Sequence, residues 1–350
     1  MDSYIPLQLP YFAPEDQLPA PLPTFEQIFS SKRVFHSRLD KGRVVQVGDH
    51  FVAKFGTDSE IIECESLLFI KKNDASIPVP SVYAAYEHEH GGVLYNVLIM
   101  EYVSGYSLIS VDHLGYLTGE KEAIVSQLQA CFNKLRHLPC PRYFGALGRR
   151  PYGKKAYGGP FDTAKAASDA VYRDLVRDLN SCLFQGDEKL FQQYREMYEA
   201  ARSQFGDYGK HSKPVFTHGN LRWENIIVRP DSTICIINWG QAGFFPEHCE
   251  YLSATLMNIP IRHRLSNHRE WIEMVPGFLD SYESKAKLID FIRCEYTRKG
   301  RFWDSTRAGN HDNSDNEFPG YDSGDDLLDD DGDYADLDDY DVVHDSEICR

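Results

Sequence analysis

The sequence predicts an α+β protein in two parts. Three observations carry this. Short apolar blocks bounded by turn residues recur in the first hundred positions, at 44–47, 51–55 and 93–100. From Ile124 onward apolar residues recur at helical steps instead. A further pair of short apolar runs, within 215–243, encloses a Pro-Asp-Ser-Thr turn and reads as a β-hairpin preceded by a polar loop. The chain of 350 residues, 42% apolar and 13% aromatic, is long enough for two packed cores.

The elements follow in order. Residues 1–23 are Pro-rich, without periodicity, and read as an extended arm against the body. The first part spans 24–100. Within it Val-Val-Gln-Val, the Gly48-Asp49 turn and Phe-Val-Ala-Lys-Phe form a hairpin that ends on Lys54. Residues 60–71 follow with helical spacing at Ile61, Leu67, Leu68 and Phe69. Pro78 and Pro80 forbid further helix, and an apolar strand follows at 93–100. A crossover at 101–105 opens the second part, 106–303. There Ile124, Leu128, Cys131, Leu135 and Leu138 form one helix face. The Gly- and Pro-rich loop 139–160 carries Arg142, Arg149, Arg150, Lys154 and Lys155, either to meet an anionic substrate or as ordinary solvated charge. Helices are expected at 164–184 and 187–205, again just after Pro246, and near 268–274 and 278–298.

The stretch from Val215 to Gly243 organises the rest. His218, Asn220 and Asn225 stand at the spacing H-x-D-x-x-x-x-N of a kinase catalytic loop, and Asn238 falls on the following strand where a second Asp belongs. Both acidic positions carry amides. His218-Gly-Asn-Leu, Asn225-Ile226, Ile237-Asn238-Trp239, Ala242-Gly243 and Pro246-Glu247 together resemble the aminoglycoside phosphotransferase and choline kinase-like family, its fungal branch in particular. Ser76-Ile-Pro-Val-Pro-Ser-Val-Tyr83 and Glu63-Cys-Glu-Ser-Leu67 extend the likeness, which covers roughly residues 30–300. The resemblance implies a two-lobed protein kinase-like fold, with a small antiparallel-sheet N-lobe and a mainly helical C-lobe. It also implies ATP as cofactor, with Lys54 at the phosphates and Glu63 as its partner on the following helix, and with Glu101 to Val103 at the adenine edge. His218 supports the loop, Asn220 stands at the base position, and Asn225 and Asn238 stand where Mg²⁺ is held. Only Gly42 precedes the strand at 43–47, so the full Gly-rich loop of protein kinases is missing.

Asn keeps the shape of Asp and loses its basicity, and general-base assistance is worth about 10² to 10⁴ in rate. Mg²⁺ favours charged oxygen, so neutral Asn225 and Asn238 predict weakened metal binding. Glu224, Asp231, Glu247 and Glu250 are the acids near enough in sequence to compensate. Three functions stay open. One is a pseudokinase with residual nucleotide binding and impaired transfer. Another is an ATP-dependent kinase of small-molecule hydroxyls with replacement acids. The last is a cleft lined by Trp223 and Trp239 and turned to other small-metabolite chemistry.

Charge sets the partners. Residues 304–350 hold 17 of the acids against two arginines, so this segment carries nearly all of the net −16 and the body is close to neutral. The tail is expected to be disordered and to offer a docking site for a protein partner at most. The body has no basic excess for nucleic acid and no apolar run of the roughly 20 residues that a membrane helix needs. Eight scattered cysteines without a C-x-x-C pair point to a reducing compartment, and the Met1 to Pro14 start lacks signal-peptide character, so a cytoplasmic location is expected.

Overall fold

The computed structural model describes residues 7–38, 42–57, 61–108, 120–154, 157–171, 173, 192, 212–255, 271 and 273–280. The chain opens with strand β1 (Tyr11–Phe12) and helix α1 (Phe25–Phe29), whose N-terminus is closed by a reciprocal Thr24–Gln27 capping box. β2 (Val34–Arg38), β3 (Gly42–Val47) and β4 (Phe51–Gly56) form an antiparallel meander. Helix α2 (Ile61–Asn73) follows, then the long hairpin β5 (Val82–His90) and β6 (Val93–Glu101). The six strands make one sheet in the order β1-β5-β6-β4-β3-β2, every neighbouring pair antiparallel.

Strand alternation explains both covers of this sheet. Val97 and Ile99 of β6 join Phe51, Ala53 and Phe55 of β4 on one face, under Phe25 and Ile28 of α1 and the arm residues Leu18, Ala20 and Leu22. Leu98 and Met100 point to the other face and pack with Leu67 and Ile70 of α2. With both faces covered, β6 reads as a continuous apolar run rather than an alternating one. The arm wraps the sheet edge: Leu7, Leu9 and Tyr11 lie against the α2-side core, and β1 pairs with β5 through Tyr11↔Ala85 and Phe12↔Ala84. An otherwise open edge is thereby closed.

Beyond the crossover lie β7 (Tyr106–Ser107), α3 (Lys121–Arg136), β8 (Pro214–Thr217), β9 (Ile226–Val228), β10 (Ile234–Ile236), β11 (Gly243–Pro246) and α4 (Cys249–Thr255). Residues 164–171 are also helical. β9 and β10 form a hairpin joined by β7, and β8 pairs with β11. The α3 residues Ile124, Leu128, Cys131 and Leu135 are buried in the core that they share with Trp223, Ile234 and Ile236.

The fold is therefore α+β with an antiparallel first part. The remainder of the helices expected at 164–184, nearly all of 187–205, those near 268–274 and 278–298 except residues 271, 273, 274 and 278–280, and the acidic tail 304–350 lie outside the described residues. No helix among the described residues is long and apolar enough to cross a membrane.

Candidate functional site

The site forms where β4, α2 and the loops around the β9–β10 hairpin meet. Alternation along β4 buries Ala53 and Phe55 on one face and sends Lys54 to the α2 side. There its ammonium lies 2.7 Å from Glu63 Oε2 and 3.0 Å from Oε1. The side chains are 14% and 1% exposed, so this is a nearly dry ion pair. Glu63 Oε1 also accepts the backbone N–H of Trp239 at 3.2 Å, which ties α2 to the segment after β10.

Lys54 reaches further, donating to Asn238 Oδ1 at 3.3 Å. Asn238 Nδ2 donates to Asn225 Oδ1 at 3.3 Å, and Asn225 Nδ2 donates to the Asn220 carbonyl at 2.7 Å. The chemistry fixes the direction of this chain. An ammonium can only donate, so it must meet the oxygen of Asn238, and each amide in turn can then present only its NH₂ onward. The sequence-predicted residues Lys54, Glu63, Asn220, Asn225 and Asn238 thus form one connected network. Asn238 has φ 69° and ψ 57°, a left-handed conformation that Asn tolerates better than most residues.

His218 and Asn220 are set from behind. Register between β8 and β11 places Thr217 opposite Gly243. Gly219 turns the chain at φ 76°, and a Cβ there would lie 2.5 Å from the Gln241 carbonyl oxygen, so this position requires glycine. The His218 and Gly219 N–H groups donate to the Glu250 carboxylate at 2.6 and 3.4 Å. His218 Nε2–H donates to the Ile237 carbonyl at 2.9 Å, and Nδ1 accepts the Asn220 N–H at 3.2 Å. Both ring nitrogens are satisfied only in the neutral form, and burial accordingly pulls the His218 pKa down to about 4. Burial pushes Glu250 up to about 7, against the pull of Arg136 and of the two backbone donors. The Asn220 side-chain oxygen accepts Arg222 Nε at 3.2 Å.

Other expected residues have different surroundings. The Glu101 carboxylate accepts Arg229 Nη2 at 2.8 Å and the Ser81 N–H at 3.1 Å. The Glu101 and Tyr102 backbone N–H groups donate to the Ser81 and His50 carbonyls. Trp223 and Trp239 do not line a cleft: they are 1% and 0% exposed, and Trp239 packs against Phe216 and His218. Of the acids that might compensate, Glu250 is committed to backbone donors and Asp231 caps its own turn at Thr233. Among the described residues no three His, Cys, Asp or Glu side chains converge as a metal cluster.

The basic loop, expected to meet an anionic substrate or to carry solvated charge, turns one of its arginines inward. Arg150 neither meets solvent only nor faces an open pocket: its Nη2 bonds to Glu65, a buried residue two places beyond Glu63 on α2. Only the helix register marks the difference, since residues two apart face opposite sides.

No family model and no curated protein matches the sequence. Among solved structures the chain is similar to the apo form of a thermostable mutant of aminoglycoside phosphotransferase APH(4)-Ia, with 13% identity over 82% of this chain and 98% of that chain and a TM-score of 0.49. It is also similar to a ternary complex of such a mutant with ADP and hygromycin B, at 14% identity, 81% and 92% coverage and a TM-score of 0.48. ADP-bound aminoglycoside phosphotransferase APH(2'')-Ib gives 16% identity, 80% and 85% coverage and a TM-score of 0.45.

Proposed function

We propose that this chain is an aminoglycoside phosphotransferase-like pseudokinase: a cleft that binds a nucleotide without metal and transfers phosphate poorly. The carrying observation is the directed chain from Lys54 through Asn238 and Asn225 to the Asn220 carbonyl. It occupies the positions from which, on the sequence motif, a metal and a base would act. Mg²⁺ does not fit this donor set. Both amide oxygens already accept hydrogen bonds, neither carries charge, and an ammonium stands 3.3 Å from one of them.

The same substitutions favour an anion. Lys54 bonds to Glu63 and Arg222 to Asn220, so the network holds two cations against one carboxylate, one positive charge in excess. With Asp at 220 and 238 it would be one negative charge in excess, and a polyphosphate would then need a cation as mediator. In the chain as it stands, Lys54 provides the charge directly and Glu63 keeps it oriented. Asn220 orients a hydroxyl without accepting its proton, a loss of about 10² to 10⁴ in rate.

A thermal-shift titration with ATP and ADP, with and without Mg²⁺, tests this reading. Nucleotide in chelator is expected to raise the melting temperature, since a ligand of the native state alone stabilises it, and Mg²⁺ is expected to add nothing. The double variant Asn220→Asp plus Asn238→Asp is expected to acquire Mg²⁺ dependence. Mg²⁺-dependent turnover by the natural chain at about 1 s⁻¹ or faster, the usual kinase range, would overturn the proposal.

A further inference from the structure

Helix α2 is buried on nearly all sides, and it carries two buried carboxylates, Glu63 and Glu65. Two residues apart on a helix is roughly 200° of rotation, so they are held by different neighbours. Glu63 faces Lys54 and the Trp239 N–H. Glu65 faces away, where Oε2 bonds to Arg150 and Oε1 accepts the Leu7 N–H at 3.0 Å.

Both partners of Glu65 lead to other parts of the molecule. Arg150 belongs to a loop stitched to β11, with Gly145 and Phe244 exchanging backbone hydrogen bonds at 3.0 and 2.8 Å. The same loop presses on the turn after Asn238, where a Cβ on Gly153 would lie 2.1 Å from the Gly240 carbonyl oxygen. Leu7 belongs to the arm that continues into β1 at the sheet edge. The rotation of α2 is thus set from two sides, and a turn that freed Glu65 would carry Glu63 away from Lys54.

We propose that Glu65 is a positioning residue of the site: gripped by Arg150 and by the N-terminal arm, it fixes α2 so that Glu63 holds Lys54, and release of the arm loosens that lysine. The consequence for phosphate binding rests on the function proposed above; the positioning of Lys54 does not. The arm is then a handle on the site, since anything that displaces residues 7–12 from the sheet edge removes one of the two grips.

Lys54 can be read directly. In the full-length protein, mass-spectrometric mapping with an amine-reactive acylating reagent reports the accessibility of Lys54, with exposed Lys72 at the end of α2 as internal standard. Glu65→Gln is expected to raise the Lys54 labelling rate roughly tenfold and to weaken ATP binding by a similar factor, since it removes a buried charge partner. Leu7→Pro, which deletes the donating N–H, is expected to raise labelling about two- to threefold. Lys72 labelling and hydrogen exchange of the β6 amides should not change. Unchanged Lys54 labelling in both variants would overturn the proposal, and so would a rise shared with the β6 amides, which means plain destabilisation. If Glu65→Gln does not fold, Leu7→Pro decides alone. If the natural protein binds no ATP, the functional reading fails while the labelling still tests the grip.

Discussion

Two pairs of positions carry opposite solutions to burial. On α2, Glu63 and Glu65 are charged, and each is matched by a cation and a backbone donor. At 220 and 238 the side chains are neutral and satisfy their neighbours through an amide chain. A buried carboxylate persists only where cations and N–H groups surround it, because the unpaired charge costs several kcal/mol. The α2 pair meets that condition without any ligand. An acid at 238 would meet it only in part: Lys54 is already shared with Glu63, and the Asn225 oxygen lies 3.3 Å away on the other side.

The strongest way to break this contrast is at the ion pair. Glu63→Gln leaves Lys54 without its carboxylate in a nearly dry site and should cost on the order of 3–5 kcal/mol in denaturant unfolding. The double change of Lys54 and Glu63 to Met should cost less than either single change. A double loss equal to the sum of the two single losses would show that the pair contributes nothing as a pair.

The second prediction is a pH profile. Burial raises Glu250 from 4.5 to about 7, so its contribution to stability is full below pH 4.5 and is lost as pH rises through 7. Burial lowers His218 from 6.5 to about 4, so its contribution is full above pH 6.5 and is lost as pH falls through 4. Each is worth about 3 kcal/mol, with opposite slopes over nearly the same window. The natural chain should therefore show stability almost flat between pH 4.5 and 6.5. Glu250→Gln should unmask a fall toward acid, and His218→Asn a fall toward neutrality. Parallel profiles in chemical denaturation would show that the two groups do not oppose each other.

The smallest effect falls on the neutral side. Asn225→Ala strips the Asn220 carbonyl of its donor and the Asn238 NH₂ of its acceptor, for a loss of about 1–3 kcal/mol. A melting temperature unchanged from the natural chain would mean that water replaces the amide freely.

How much of this was legible in the sequence depended on how local its signal was. The hairpin that ends on Lys54, the helix with Glu63 and the spacing of His218, Asn220, Asn225 and Asn238 follow from short-range patterns, and the structure brings these residues together. β2 escaped because Val-Phe-His-Ser-Arg leaves Phe35 exposed and alternates poorly, and its pairing with β3 shifts register between Val34 and His36. β1 escaped because two residues held by main-chain bonds leave no side-chain signature. Glu65 and Arg150, 85 positions apart, meet through a loop whose path no period encodes. The tryptophans look like ring platforms for a ligand until the hydrogen bond from Trp239 Nε1 to the Ile236 carbonyl places that ring inside the core.

The unusual backbone at Asn238 limits what can follow it there. Few side chains sit comfortably at a left-handed position, and the acid and its amide are both among them. The route of the main chain is consequently indifferent to which of the two is present. An exchange of Asn238 for Asp would therefore leave the turn as it is, so a variant there changes the charge of the site and not its backbone.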